Sequence, residues 1–234
     1  MMYQNVFKRC FDLVAALIVF IILSPVLLIL TIAGAVAMKG NPFFTQLRPG
    51  RIDKKTGQET IFKLIKFRTM SNAKDKEGNL LPDGVRLNAY GRILRSSSLD
   101  ELPSLLNIIT GDLAIVGPRP QLVRDMVFMT SEQRKRHTVR PGLTGLAQVN
   151  GRNNITWEQK FEYDLQYIKK ITFTGDLKII FQTIGKVLKR SDVVREGTDS
   201  DLDFGDWLLK EGRITKESYD KKQKYAVSLI QGRR

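Results

Sequence analysis

The chain has 234 residues but only one cysteine, Cys10, and one histidine, His137. A single cysteine excludes an internal disulfide and fits a reducing compartment. At the edge of an apolar run, Cys10 reads as a small apolar residue. His137 stands among basic residues and reads as structural or exposed. No G-x-x-x-x-G-K-[ST] loop occurs, so a P-loop nucleotide site is not supported. There is no internal repeat, no low-complexity tract and no recognised nucleic-acid motif. Acids are scarce: 24 Asp and Glu stand against 38 Lys and Arg, for a net charge of +14. That balance implies an anionic partner: nucleic acid, anionic lipid or a phosphorylated small molecule.

Charge is also missing from Leu13 to Met38. This run of about 26 residues is long enough, as straight helix, to cross a bilayer of ~30 Å. It is too long for the apolar part of a signal peptide, and AVAMKGNPFF is a poor cleavage site. It reads as a membrane anchor. Ser24-Pro25 lies near its middle. Proline removes a backbone donor and should kink or break the helix there, while Ser24 can partly satisfy the freed carbonyl. A sharp break would return the chain to the face it entered. Lys8 and Arg9 precede the run and Lys39 follows it. With both flanks basic, charge bias chooses neither topology, and spanning and re-entrant forms stay open.

After the anchor, NPFFTQLRPGR and a polar turn lead into TIFKLIKFRTM, where apolar and basic residues alternate as in a strand. The alternation buries Phe62, Leu64 and Phe67. Lys63, Lys66 and Arg68 are then either solvated or a cation set for phosphate. Residues 71–89 are polar, with two turn signals.

Ser98 to Pro120, SLDELPSLLNIITGDLAIVGPRP, is the stretch on which the chain is organised. It sets Asp100 and Glu101 side by side in a basic chain and closes on a rigid Gly-Pro-Arg-Pro. Ser98 with Glu101 spells a capping box at a helix start. The alternative is chemical: a carboxylate kept ionised by its surroundings can act as a nucleophile. Arg86, Arg92 and Arg95 approach the pair from upstream.

Further on, Gln121–Met129 predicts a short helix, followed by a charged helix capped by Thr130 or Ser131. RPGLTGLAQVNGRN, with Arg140 and Arg152 at its ends, is turn-rich; its glycines either form turns or let backbone approach a ligand. Residues 156–190 predict two helices, the first with a Thr cap and the second amphipathic, suited to a bilayer interface or a core. Asp176 opens the second and reads as an N-cap. From Ser191 the composition turns acidic, then helical.

Several ordered motifs resemble the bacterial sugar transferase family, the monotopic phosphoglycosyl transferases. They are FKRCFDLVAALIVFIILSPVLLI, FFTQLRPGR, FKLIKFRTM, GRILRSSSLDELPSLLNIITGDLAIVGPRP, RHTVRPGLTGLAQVNGRN and DLKIIFQTIGKVLK. RNNITWEQKFEYDL and KVLKRSDVVREG are similar to the protein-glycosylation members that use diamino-sugar donors. The resemblance covers roughly residues 3–190. It implies an α+β, mainly helical fold. Residues 1–40 would form a re-entrant membrane hairpin broken at Ser24-Pro25. Residues 41–190 would form a catalytic domain with short strands and interfacial helices, on the cytoplasmic face of the bacterial inner membrane. Residues 191–234 would be an appendage of unknown role, and a candidate homo-oligomer contact.

The resemblance also implies a reaction. A phospho-sugar moves from a UDP-sugar, expected to be an N-acetylated amino or diamino sugar, to polyprenyl (undecaprenyl) phosphate, and UMP leaves. Asp100 would be the nucleophile and form an aspartyl-phosphosugar, so kinetics would be ping-pong. Glu101 would help hold Mg²⁺. Lys66, Arg95, Arg119 and Asp176 would serve substrate binding. The family's usual Trp in TGWAQ is Leu146 here, which weakens an aromatic contact and leaves the chemistry. Two other classes compete: a membrane-anchored basic adaptor or nucleic-acid-binding protein without catalysis, and a divalent-metal phosphatase or hydrolase using the same acids.

Overall fold

The structure, a computed structural model, describes residues 3–151, 155–189 and 202–232. Arg152 and the acidic stretch 190–201 lie outside the described residues.

The apolar run forms α1, Lys8–Ala37, entered through a π-helical turn at Tyr3–Phe7. Pro25 sits inside it. Proline has no N–H, so the carbonyl of Ile21, one turn back, loses its helical partner. Ser24 replaces that partner: its Oγ donates to Ile21 O at 2.8 Å. The segment stays helical through the pair, without the full break that was one of the two outcomes the proline predicts there.

Both ends of α1 rest on the rest of the chain. Near its start Lys8, Asp12 and Ala16 are buried, and the Arg9 guanidinium donates to the carbonyls of Ile108 and Ile109. Near its end Tyr90 Oη donates to Leu30 O and Asn88 Nδ2 to Ala37 O. Gly34 makes that second contact possible, because a Cβ there would stand 2.6 Å from the Tyr90 hydroxyl. Between the two ends the apolar side chains of Ile21, Ile22, Leu28 and Ile29 are exposed.

Strands β1, Phe43–Ile52, and β2, Glu59–Phe67, form an antiparallel hairpin that pairs Phe43 with Phe67 and Arg48 with Phe62. The period of two appears as expected. Phe62 and Leu64 are buried and pack with Ala16, Leu105, Ile108 and Leu113. Phe67, on the other face, stacks on Phe43. After the polar loop come α2, Asp83–Arg86, and α3, Ala89–Ser97; then a 3₁₀ segment, Leu99–Ser104, runs into α4, Leu105–Thr110.

Strand β3, Ala114–Val116, pairs in parallel with β4, Gly142–Thr144; α5, Val123–Met126, α6, Ser131–Arg134, and a 3₁₀ turn, Lys135–Thr138, lie between them. The Pro/Gly-rich stretch serves this pairing. A Cβ on Gly142 would sit 2.1 Å from Gly117 N, and one on Gly145 2.1 Å from Gly117 O. Backbone approaches backbone here, at a separation no side chain allows.

Helix α7, Leu146–Gly151, precedes α8, Trp157–Lys169, and α9, Phe173–Leu188. Thr130 and Thr156 each close a capping box with a Gln three residues on. On α9, Ile179 is buried while Phe181, Ile184 and Leu188 are exposed. The final helices, α10, Phe204–Lys210, and α11, Lys216–Gln231, are not detached. Phe204 joins Phe128, Met129, Trp157 and Phe161 in one cluster, with Trp207, Leu208 and Tyr219 packed on it. The described part of the C-terminal segment thus shares a core with the body of the chain.

Candidate active site

Strand β2 delivers the first cation. Lys66 follows Phe62 and Leu64 on one face, so the side that builds the core ends in an ammonium. The acids come from the segment opposite. Helix α3 ends at Ser98, which takes a left-handed conformation, φ 57° and ψ 17°. The predicted capping box does not form. The Ser98 side chain caps nothing, and only the backbone contact Glu101 N to Ser98 O, 3.3 Å, spans the turn. A residue in the left-handed region ends a helix better than it starts one.

Freed from capping, the Glu101 carboxylate turns to Lys66 and Arg119. Lys66 Nζ donates to Glu101 Oε1 at 2.6 Å and Arg119 Nη2 to the same oxygen at 3.0 Å. Two side chains fix this register. Asn107 accepts from Ile65 N through Oδ1 and donates to Lys63 O through Nδ2, acting as a short extra strand along β2. Ser104 Oγ donates to Ile65 O. An amide inside the apolar run LPSLLNII is the sequence signal for this clasp.

The two acids differ. Burial pushes the Glu101 carboxyl up, but the charges and hydrogen bonds of Arg119 and Lys66 outweigh it and hold the group well below the ordinary range. Burial, and then the Glu101 charge, push Asp100 above its ordinary value, with Lys66, Arg119 and Arg95 opposing. The Asp100 carboxylate makes no hydrogen bond or ion pair with any described residue. Arg95 is held by its Nε–H donating to Thr69 Oγ1 at 3.1 Å, within electrostatic reach of Asp100.

The structure does not bring Asp176 to this group, and it does not cap α9 either. Thr172 is the cap. Asp176 is buried and accepts from Lys8 Nζ at 2.6 Å, Tyr3 Oη at 2.8 Å and Tyr167 Oη at 2.9 Å. It anchors the start of α1. Both of its oxygens are engaged by the chain itself, away from Lys66, Glu101 and Arg119.

One residue at the site was not singled out from sequence. Arg48 lines the same cleft as Lys66, Glu101 and Arg119. Its guanidinium donates to Pro120 O and Gln46 Oε1, pairs with no carboxylate among the described residues, and leaves Nε without a partner. Burial, then the nearby Arg119, lowers its pKa to about 10.

Among the described residues no three His, Cys, Asp or Glu gather as a metal cage. Two adjacent carboxylates, with Glu101 Oε2 unengaged, do suit Mg²⁺, which is commonly bound by one or two carboxylates with substrate phosphates and water.

A family model described as bacterial sugar transferase matches residues 3–190. The chain belongs to that family. Among family relatives, the uncharacterized sugar transferase EpsL of Bacillus subtilis is 49% identical over 78% of this chain and 88% of its own length. A UDP-glucose:undecaprenyl-phosphate glucose-1-phosphate transferase of Klebsiella pneumoniae is 38% identical over 77% of this chain, but that match spans only 40% of the relative. The exopolysaccharide production protein ExoY of Rhizobium meliloti is 34% identical over 77% of this chain and 84% of its own length. Membership in the bacterial sugar transferase family fits the chain as a transferase and sets aside the non-catalytic adaptor.

Proposed function

We propose that the protein transfers a phospho-sugar from a UDP-sugar to undecaprenyl phosphate, with Asp100 as nucleophile. The observation that carries this reading is the asymmetry of the pair. Glu101 is tied to two cations, while Asp100 is left without a partner beside them.

In the first step a carboxylate oxygen of Asp100 bonds to the β-phosphorus of the donor. The bond from that phosphorus to the bridging oxygen breaks, and UMP leaves with the electron pair. In the second step an oxygen of the lipid phosphate bonds to the same phosphorus. The bond to Asp100 breaks, returning the carboxylate and releasing the lipid-diphosphate sugar. Arg119 and Lys66 lie where negative charge gathers on the diphosphate, and Arg95 adds a third cation near Asp100. Glu101 holds the two nearer cations in place before substrate arrives. A bound Mg²⁺, for which Asp100 and Glu101 are the oxygens at hand, would neutralise phosphate charge.

The membrane helix belongs to the same reading. A spanning helix puts its ends on opposite sides of the bilayer. Here both ends of α1 dock on one body, through Arg9 and through Tyr90. That supports a re-entrant segment that enters and leaves on the cytoplasmic face, with Ser24-Pro25 as the accommodating point. The exposed Phe181, Ile184 and Leu188 of α9 suit the interface.

The donor's sugar is read as an N-acetylated amino or diamino sugar, and its rivals are the glucose and galactose named for the relatives. A panel of UDP-glucose, UDP-galactose, UDP-N-acetylglucosamine and UDP-diNAc-bacillosamine with undecaprenyl phosphate, read as UMP release, tests substrate and reaction together. Asp100→Asn should abolish release while the protein stays folded. Retained turnover overturns the nucleophile assignment.

A further inference from the structure

The loop that carries Arg119 has an unusual backbone problem. Pro118 and Pro120 have no N–H, so the segment can hardly be tied down by donating. It is tied by accepting. Pro118 O takes Gly142 N at 2.9 Å, Arg119 O takes Arg136 Nη2 at 2.7 Å, and Pro120 O takes Arg48 Nη1 at 3.0 Å. Three consecutive carbonyls are thus held from three different places in the chain.

Arg136 is the deepest of these holds. It is 1% exposed. Its Nε and Nη2 meet Asp164 Oδ2 at 2.9 and 2.6 Å, and the Phe161 ring lies 5.8 Å from its guanidinium carbon. Both partners stand on α8, one turn apart. A buried ion pair contributes little net stability once desolvation is counted. What it does supply is a donor at a fixed point, and that point is the carbonyl of the residue reaching for Glu101.

We propose that Arg136, held by Asp164, is a positioning residue that aims Arg119 at the donor diphosphate. The proposal rests on the reading of Arg119 given above. It also gives the C-terminal segment a task. Phe161 is packed edge-on by Phe204, ring centroids 5.0 Å apart, so α10 braces the ring beneath Arg136.

The test is a double-mutant cycle on UDP binding, measured by calorimetry on the full chain in nanodiscs, with thermal midpoints confirming the fold. UDP is the probe because every donor in the panel shares it. Lysine at 136 keeps a charge for Asp164 but lacks the planar fork that also reaches the Arg119 carbonyl. Arg136→Lys should weaken UDP binding roughly tenfold, and add nothing to Arg119→Ala, because partners acting as a unit are not additive. If Arg136→Lys does not fold, Phe161→Leu is put through the same cycle. Equal losses in both backgrounds, or no loss in either, overturn the positioning role while leaving Arg119's role intact. An Arg119→Ala protein that binds UDP like the wild type overturns both.

Discussion

Lys66 and Arg119, 53 positions apart, converge on one atom, Glu101 Oε1, at 2.6 and 3.0 Å. One carboxylate oxygen therefore sets the spacing of two cations. On the proposed reaction, the positive charge that would meet the donor diphosphate is already assembled, which leaves little reorganisation for the chemical step. Arg119→Ala should lower the rate of UMP release by about 10²–10³-fold. Glu101→Gln should fall as far or further, since it loosens both cations at once. A steady-state assay on the responsive UDP-sugar checks both, and a Glu101→Gln enzyme near wild-type rate would remove Glu101 from the mechanism.

The acid limb of the pH profile should report Asp100. The nucleophile role proposed for Asp100 requires the ionised form, and burial raises its pKa, so on that proposal activity is lost as pH falls through a value above that of an ordinary aspartate. Lys66 opposes that shift. Lys66→Gln should therefore move the limb further up in pH as well as lower the plateau. Initial rates of UMP release across an acid-to-neutral series decide the direction.

His137 predicts a stability effect far from the chemistry. It is buried against Glu59, Nδ1 to Oε1 3.1 Å, and burial lowers its pKa from 6.5 to about 4. Between those values the unfolded chain binds a proton that the folded chain does not. Stability is then fully present above the unfolded value and is lost as pH falls toward the folded one, by at most about 3 kcal/mol. Below the unfolded carboxylate value Glu59, whose pKa is depressed in the fold, adds a loss of the same sign. Thermal midpoints should fall on acidification in the wild type and fall less in His137→Asn.

The two ends of α1 should be reachable from one side of the membrane. Cys10 is exposed at one end. A membrane-impermeant maleimide should label Cys10, and separately a cysteine placed at Lys39 in a Cys10→Ser background, in inside-out vesicles. Labelling of the two from opposite sides would show a spanning helix.

The C-terminal segment should behave as core. Phe204→Ala should cost about 3–5 kcal/mol, read as a lower denaturation midpoint. An unchanged midpoint would return residues 202–232 to the status of an appendage.

Much of the site was legible because its residues announce themselves locally. Phe62, Leu64 and Lys66 follow from a period of two, and Asp100, Glu101 and Arg119 from acids and a rigid arginine in one short stretch. The broader frame came from the family resemblance. What stayed hidden depends on pairings that periodicity cannot see. Arg136 and Asp164 are 28 positions apart and look like ordinary surface charges of two helices until the fold buries them. Asp176 looked like a cap because it stands in the first turn of α9, yet Thr172 already fills that role and Asp176 faces Lys8 across 168 positions. Ser98 failed as a cap because its backbone had been spent on ending α3.

The anchoring of α1 reaches beyond topology into stability. Asp176 is satisfied by Lys8, Tyr3 and Tyr167, and the carbonyls of Ile108 and Ile109 by Arg9. Without the first turns of α1, a buried carboxylate and the end of α4 lose these partners, an arrangement that costs several kcal/mol. The first turns of α1 are therefore part of the stability of the catalytic body as well as of its attachment. A catalytic domain shed from that segment should therefore unfold at a lower denaturant midpoint than the full chain.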